Sequence, residues 1–272
     1  MQIRRFHHLV RNKLPIPNTR RLLNHALRPI GWEVHKKNPF MGRDGIPKDM
    51  HEGGFPRLYQ ACKDYSACSV ESMFALYKAV EHVVRRDIPG DMVECGVYKG
   101  GSAMMMAMCL RHFGCKRDRK IYMYDTFEGM SSPTALDQDL TGLDASDLLD
   151  LGPRESNTVW AYCPLPVVQE NLARTGYAPD RLVYVKGMVE DTLPATRPAR
   201  ISLLRLDTDW HASTHHELTH LYPVLVGGGI LILDDYGHWQ GARKATDEYL
   251  ATIPDPILLQ RIDWTVRVGI KA

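Results

Sequence analysis

A chain of 272 residues that is 44% hydrophobic and 24% charged can bury one sizeable core, which suits a single α/β domain with appendages. No apolar run is long enough for a membrane span, and the opening MQIRRFHHLV lacks the apolar stretch of a secretory signal, so neither a membrane protein nor an exported one is expected. Cys62, Cys68, Cys95, Cys109, Cys115 and Cys163 contain no CxxC pair, which argues against a zinc site and a disulfide scaffold and for reduced thiols in a cytoplasm.

The net charge of +2 conceals a basic start: residues 1–50 hold eleven Lys/Arg against three Asp/Glu, leaving twenty-three against twenty-nine for the remainder. Such an arm can anchor nucleic acid or act as a transit peptide, but a solvated terminus is the simpler expectation. Residues 1–60 are rich in proline (Pro15, Pro17, Pro29, Pro39, Pro47, Pro56) and read as an irregular arm or lid with one short helix near Thr19–Leu27. A packed domain is expected over 61–272.

From Ser69 onward Val70, Met73, Phe74, Leu76, Tyr77, Val80 and Val83 recur at helical spacing, and Pro89-Gly90 stops the helix. Asp91–Val97 reads as a strand. It is followed by the turn Lys99-Gly100-Gly101-Ser102 and a helix over Ala103–His112, whose Met104, Met105, Met106 and Met108 are core residues rather than a cofactor feature. Further buried strands are predicted over Ile121–Tyr124, Leu182–Val185, Ile201–Leu206 and Gly229–Leu233, with a terminal β pair over Leu258–Arg261 and Thr265–Ile270. Alternation of β and α predicts a doubly wound, mostly parallel sheet. The Asp-, Gly- and Ser-rich segment Ser131–Thr158 interrupts that alternation and reads as a functional loop or cover; its acidic residues miss the spacing of a calcium loop.

Chemistry concentrates in three constellations. In Glu94-Cys95-Gly96-Val97-Tyr98-Lys99-Gly100 the glycines allow a tight turn and a close ligand, while the string departs from both dinucleotide and P-loop patterns; Glu94 can accept from an ammonium. Asp125, at a strand end, suits ribose hydroxyls or caps a helix. Together they point to a nucleoside with a cationic or zwitterionic tail. Third, Asp207 and Asp209 end one strand and Asp234 and Asp235 the next. Four clustered carboxylates repel one another unless a cation or shared protons compensate, and oxygen-only ligands favour Mg²⁺, Mn²⁺ or Ca²⁺ over zinc. Caps and surface ion pairs are the plainer alternative for each Asp.

The strings VECGVYKGGSAMMMA, YMYDTFEGM, KGMVEDTLP, LLRLDTDWHAST, LYPVLVGGGILILDDYG and GARKATDEYL resemble the macrocin O-methyltransferase family, whose members methylate sugar hydroxyls of antibiotics, over roughly residues 60–272. The resemblance implies a Rossmann-like class I methyltransferase fold with a seven-stranded sheet, S-adenosylmethionine as methyl donor, Mg²⁺ on Asp207, Asp234 and Asp235, and Asp209 as general base. It implies cofactor contacts from Ser66, Glu94, Gly96, Val97, Tyr98 and Gly100, and from Asp125 with Thr126 and Phe127 beside it. Ser66 stands where the family has Thr, and His211 where it usually has Tyr, so the acceptor pocket is less well matched than the chemistry. His211, His215, His216 and His238 lie near the carboxylates as further candidates for base or acceptor pocket. The expected acceptor is a small, glycosylated molecule and the expected assembly a homo-oligomer. A catechol or phenol acceptor is the alternative, and an RNA-directed methyltransferase or binding protein using the basic arm a remoter one.

Overall fold

The computed structural model describes residues 38–272; the helix expected near Thr19–Leu27 lies outside the described residues, as does most of the basic arm. Residues 50–272 form one compact unit. Helix α1 (Phe55–Cys62), which an arm ending at residue 60 would divide, belongs to that unit: Phe55 packs edge-on against Phe74 at 4.9 Å, and Phe55, Leu58 and Cys62 are buried. Among the described residues no helix is long and apolar enough to cross a membrane.

Helix α2 (Val70–Arg85) begins at Ser69, whose hydroxyl accepts from Ser72 N at 3.0 Å and so satisfies a free donor of the first turn. Its Met73, Leu76, Tyr77, Val80 and Val83 are buried, as the helical spacing predicts. Strand β1 (Asp91–Cys95) leads through the glycine turn into α3 (Gly101–His112), where Met104, Met105 and Met106 are core. Then follow β2 (Ile121–Asp125), α4 (Ala145–Leu149), α5 (Leu165–Ala173), β3 (Leu182–Lys186), α6 (Val189–Thr192), β4 (Ile201–Leu206), α7 (His211–Leu221), β5 (Leu225–Leu233), α8 (Gln240–Leu250), β6 (Gln260–Arg261) and β7 (Arg267–Ile270).

The seven strands form one sheet in the order β3-β2-β1-β4-β5-β7-β6; the first five are parallel, and β7 runs antiparallel between β5 and β6. This is the doubly wound, mostly parallel sheet the sequence pattern predicts and the Rossmann-like, seven-stranded form the family resemblance implies. Every residue of β4 is buried, the mark of a central strand covered on both faces. Chain order reverses between β1 and β4, so a crevice opens at their C-terminal ends, where ligands bind in such sheets. Several bounds differ from expectation, and the terminal pair is shorter at its starts, Gln260 and Arg267. Strand β1 stops at Cys95 because Gly96 turns away at φ +80°, and β5 starts at Leu225, its Gly227–Gly229 run lying inside the strand.

The C-terminal hairpin is tied back to the start of α2. The carboxylate of Asp263 accepts from the Ser69 hydroxyl at 2.5 Å and from the backbone N–H groups of Thr265 and Val266 at 2.8 Å each. Burial opposes ionisation of Asp263, but these donors outweigh it and hold the carboxyl below its ordinary range. Because the folded value is the lower one, the stabilisation is complete above the unfolded-state value of about 3.9 and is lost as pH falls through the folded value. Asp263→Ala is expected to cost about 1–2 kcal/mol at neutral pH in urea unfolding, with the deficit shrinking in acid; a deficit independent of pH would contradict this role.

Candidate active site

The turns after β1, β2, β4 and β5 come together around a cavity of about 500 Å³, within the range of ligand pockets. Three of these turns contain a non-glycine residue in the left-handed region: Tyr98 (φ +50°), Phe127 (φ +52°) and Asp209 (φ +66°). Such backbone costs about 1–3 kcal/mol per residue and persists where the surroundings over-determine it. Gly96 is required by close approach, since a Cβ there would stand 1.8 Å from the carbonyl oxygen of Asp207. Gly101 serves similarly: its Cβ would meet Ser66 Cβ and the Tyr65 carbonyl at 2.6 Å, so a glycine here lets the Tyr65-Ser66 segment sit on the start of α3.

Of the residues expected to hold a cofactor, Ser66, Gly96, Val97, Tyr98, Asp125 and Thr126 line the cavity, whereas Glu94, Gly100 and Phe127 do not. Gly100 faces Leu172 and Val168 of α5, so its missing side chain serves packing. Phe127 is buried and donates its N–H to Asp125 Oδ1 at 2.6 Å. Asp125 Oδ2 accepts from Val97 N at 2.7 Å and Tyr98 N at 3.2 Å, so this carboxylate clamps the glycine turn. Burial raises its pKa, and the three backbone donors work against that rise. Glu94 is wholly buried; its Oε1 accepts from Ser102, which does line the cavity, while its Oε2 has no hydrogen-bond partner among the described residues.

At the β4 and β5 end of the same cavity stand Asp207, Asp209, Asp234 and Asp235. Ligand oxygens of Asp207, Asp234 and Asp235 lie within 4.8 Å of one another, close enough for one ion. Behind them is a residue to which the sequence pattern alone assigns no role. Arg205 is 1% exposed; its Nη1 donates to Glu94 Oε1 at 2.8 Å and Asp207 Oδ2 at 2.7 Å, and its Nη2 to Asp234 Oδ1 at 2.6 Å. One guanidinium thus joins the ends of β1, β4 and β5. Its pattern could have been suspected from a charged residue within the apolar run ISLLRL, since a buried charge requires partners.

One arginine does not neutralise this many acids. Burial, only partly countered by Arg205, pushes Asp207 well above the carboxylate range; burial followed by repulsion from Asp209 and Asp234 does the same to Asp235. Asp209 is pushed up to about 7, by burial first and by the nearby Asp207 and Asp234 carboxyls. The donor set is all oxygen, open on the cavity side, and in excess of its counter-charge, which fits a hard divalent cation.

The Asp-rich segment 131–158 is a built wall. Asp137 is fully buried: Oδ1 accepts from His211 N at 2.8 Å at the start of α7, and Oδ2 accepts from Thr134 N and Oγ1. Trp210 Nε1 donates to the Ser131 carbonyl at 3.0 Å, and Gln240 N to the Gln138 carbonyl at 2.8 Å. Gly241 leaves room for the cap, as a Cβ there would lie 2.2 Å from Asp137 Oδ1. Among the four histidine candidates, His238 lines the cavity and His211, His215 and His216 do not; His211 Nε2 instead pairs with Glu248 at 2.9 Å.

Removing the shared cation leaves buried carboxylates uncompensated, so Arg205→Met is expected to cost about 3–5 kcal/mol in chemical denaturation. The carboxyls of that variant are driven to still higher pKa, so the deficit should be smaller near pH ~5.5 than near pH ~8. A deficit under about 1 kcal/mol at the higher pH would show that the network is not carried by Arg205.

Comparison with known proteins bears on this site. The chain matches the Macrocin-O-methyltransferase (TylF) family over residues 62–268. An 8-demethyl-8-(2,3-dimethoxy-alpha-L-rhamnosyl)-tetracenomycin-C 4'-O-methyltransferase of Streptomyces olivaceus is 37% identical over 184 residues, 67% of this chain and 67% of that one. A demethyldecarbamoylnovobiocin O-methyltransferase of Streptomyces niveus is 30% identical over 187 residues, 69% of this chain and 68% of that one. The matched region therefore spans about two thirds of these relatives. Among solved structures, the O-methyltransferase NovP superposes with a TM-score of 0.66 at 28% identity, covering 76% of this chain and 82% of that one. The calicheamicin methyltransferase CalS11 shares the fold, with a TM-score of 0.56 at 18% identity and coverage of 88% and 99%. The chain belongs to the macrocin O-methyltransferase family and is an enzyme of the O-methyltransferase class.

Proposed function

We propose that this enzyme transfers a methyl group from S-adenosylmethionine to a hydroxyl of a glycosylated small molecule, a sugar hydroxyl in the first instance, with Mg²⁺ as a required ion and Asp209 as general base. The observation that carries the reading is the convergence, in one cavity, of a glycine turn clamped by Asp125 and an open cluster of Asp207, Asp209, Asp234 and Asp235. The sugar acceptor is supported by the relatives, one named for a rhamnosyl-bearing substrate and others for mycinamicin III and a novobiocin precursor.

In this reading Ser66, Gly96, Val97, Tyr98, Asp125 and Thr126 hold the cofactor, and Glu94, Gly100 and Phe127 support them from behind. Glu94 backs the cofactor side through Ser102, from whose hydroxyl it accepts, and Asp125, with a lone pair to spare beyond its three backbone donors, suits a ribose hydroxyl. Asp207, Asp234 and Asp235 would hold Mg²⁺, which supplies acidification and orientation of the acceptor hydroxyl. Asp209 takes the hydroxyl proton on its carboxylate while the oxygen attacks the sulfonium methyl. The S–CH₃ bond breaks as the O–CH₃ bond forms, and the sulfonium becomes a thioether. The anchored wall of residues 131–158 keeps the acceptor in line and water out.

Six free thiols suit a reducing cytoplasm, and the exposed Leu136, Leu140, Leu143 and Leu151 offer apolar surface for a homo-oligomer. No role for nucleic acid enters the reading.

Asp209→Asn is expected to lower kcat by about 10²-fold or more while leaving S-adenosylhomocysteine affinity within about threefold, measured by calorimetry and by product formation on a panel of glycosides and catechols. Near-wild-type turnover by the variant would reject Asp209 as base, and methylation confined to the catechols would replace the sugar acceptor by a phenolic one.

A further inference from the structure

Glu217, on α7, is wholly buried and lies outside the cavity lining. Its Oε2 accepts from the Thr208 hydroxyl at 3.1 Å, and its Oε1 has no partner among the described residues. A carboxyl in such surroundings is costly, and burial drives its pKa well above the ordinary range. A leucine would fill the space without that cost, so the polar group calls for a use.

Thr208 is the residue between Asp207 and Asp209. Its carbonyl accepts from Trp210 N at 2.7 Å across Asp209, whose φ is +66°. An i to i+2 hydrogen bond around a positive φ is a γ-turn of the rare, strained kind, and it persists only where both flanks are held. Asp137 holds the flank after it, through His211 N. On the flank before it, Arg205 holds the Asp207 carboxylate at 2.7 Å, and the residue next to Asp209 is held by the hydroxyl of Thr208 on Glu217.

We propose that Glu217 is a positioning residue of this active site: by accepting the Thr208 hydroxyl it holds the strained Asp207–Asp209 turn so that both carboxylates face the cavity. The assignment rests on the reading of Asp207 as cation ligand and Asp209 as base. Glu217 itself touches neither acceptor nor cofactor and acts through Thr208. Glutamine at this position keeps an oxygen for Thr208, whereas alanine does not.

The test compares wild type with Glu217→Ala, Glu217→Gln, Thr208→Val and the Glu217→Ala/Thr208→Val double variant, in amide exchange at Trp210, Mg²⁺ titration in the presence of S-adenosylhomocysteine, and steady-state kinetics. Expected for Glu217→Ala are exchange at Trp210 faster by about tenfold or more, Mg²⁺ affinity and kcat each lower by about 10- to 100-fold, and S-adenosylhomocysteine affinity within about threefold. Glu217→Gln should stay close to wild type, Thr208→Val should reproduce the alanine variant, and the double variant should be no worse than either single. If Glu217→Ala does not fold, the near-isosteric Thr208→Val carries the same readouts. Unchanged Trp210 exchange in folded Glu217→Ala or Thr208→Val, failure of glutamine to rescue, or additive losses in the double variant would overturn the proposal. A wild type that takes up no Mg²⁺ while Trp210 exchange still accelerates in the variants would reject the cation reading and leave the role of Glu217 in the turn supported.

Discussion

A single buried guanidinium holds this site together. Arg205 lies within a strand whose every side chain is buried, and its charge is tolerable there because Glu94, Asp207 and Asp234 meet it at 2.6–2.8 Å. Two charges 4 Å apart interact by about 4 kcal/mol at an effective dielectric of 20, so three such contacts are of the size needed to offset the desolvation of the group. The planar fork of arginine reaches acids on β1, β4 and β5 at once, which the point charge of lysine could not do. The remaining acids, Asp209 and Asp235, lie outside the guanidinium's hydrogen bonds and stay in excess. That local surplus is the electrostatic reason the cavity suits a divalent ion.

The sheet supplies position and the turns supply aim. Because β1, β2, β4 and β5 are parallel, their C-terminal ends deliver the glycine turn, Asp125, the Asp207–Asp209 turn and the Asp234-Asp235 pair to one edge. Backbone at positive φ then directs individual residues, and each such turn is pinned by a neighbour: Asp125 clamps Tyr98 and Phe127, and Asp137 and Glu217 flank Asp209. The cover is fastened to the starts of α7 and α8, the two helices that follow the carboxylate turns, so the cover and the acids are held together.

Much of this was legible in the sequence because it rests on local pattern. Period-2 and continuous apolar runs marked the strands, helical spacing marked α2, and the motif order placed the acids at strand ends. What escaped depends on neighbours distant in sequence. Arg205 meets Glu94 across 111 positions, and no local signal names that partner. Asp137 sits in a segment that reads as a loop or cover, with nothing local to mark one of its acids as buried; it is buried where Gly241 clears space beside it. The Gly227–Gly229 run reads as a break, and sheet pairing carries the strand through it. Gly100 was read as facing a ligand, but helix α5 occupies that side. Fixed spacing reveals which residues gather; packing decides which of them reach the cavity.

The most direct test of the central claim is calorimetric titration of Mg²⁺ into protein saturated with S-adenosylhomocysteine, for the wild type and for an Asp234→Asn/Asp235→Asn variant. The account predicts that both bind S-adenosylhomocysteine and that only the wild type takes up Mg²⁺. Absence of S-adenosylhomocysteine binding, or Mg²⁺ uptake undiminished in the variant, would contradict it.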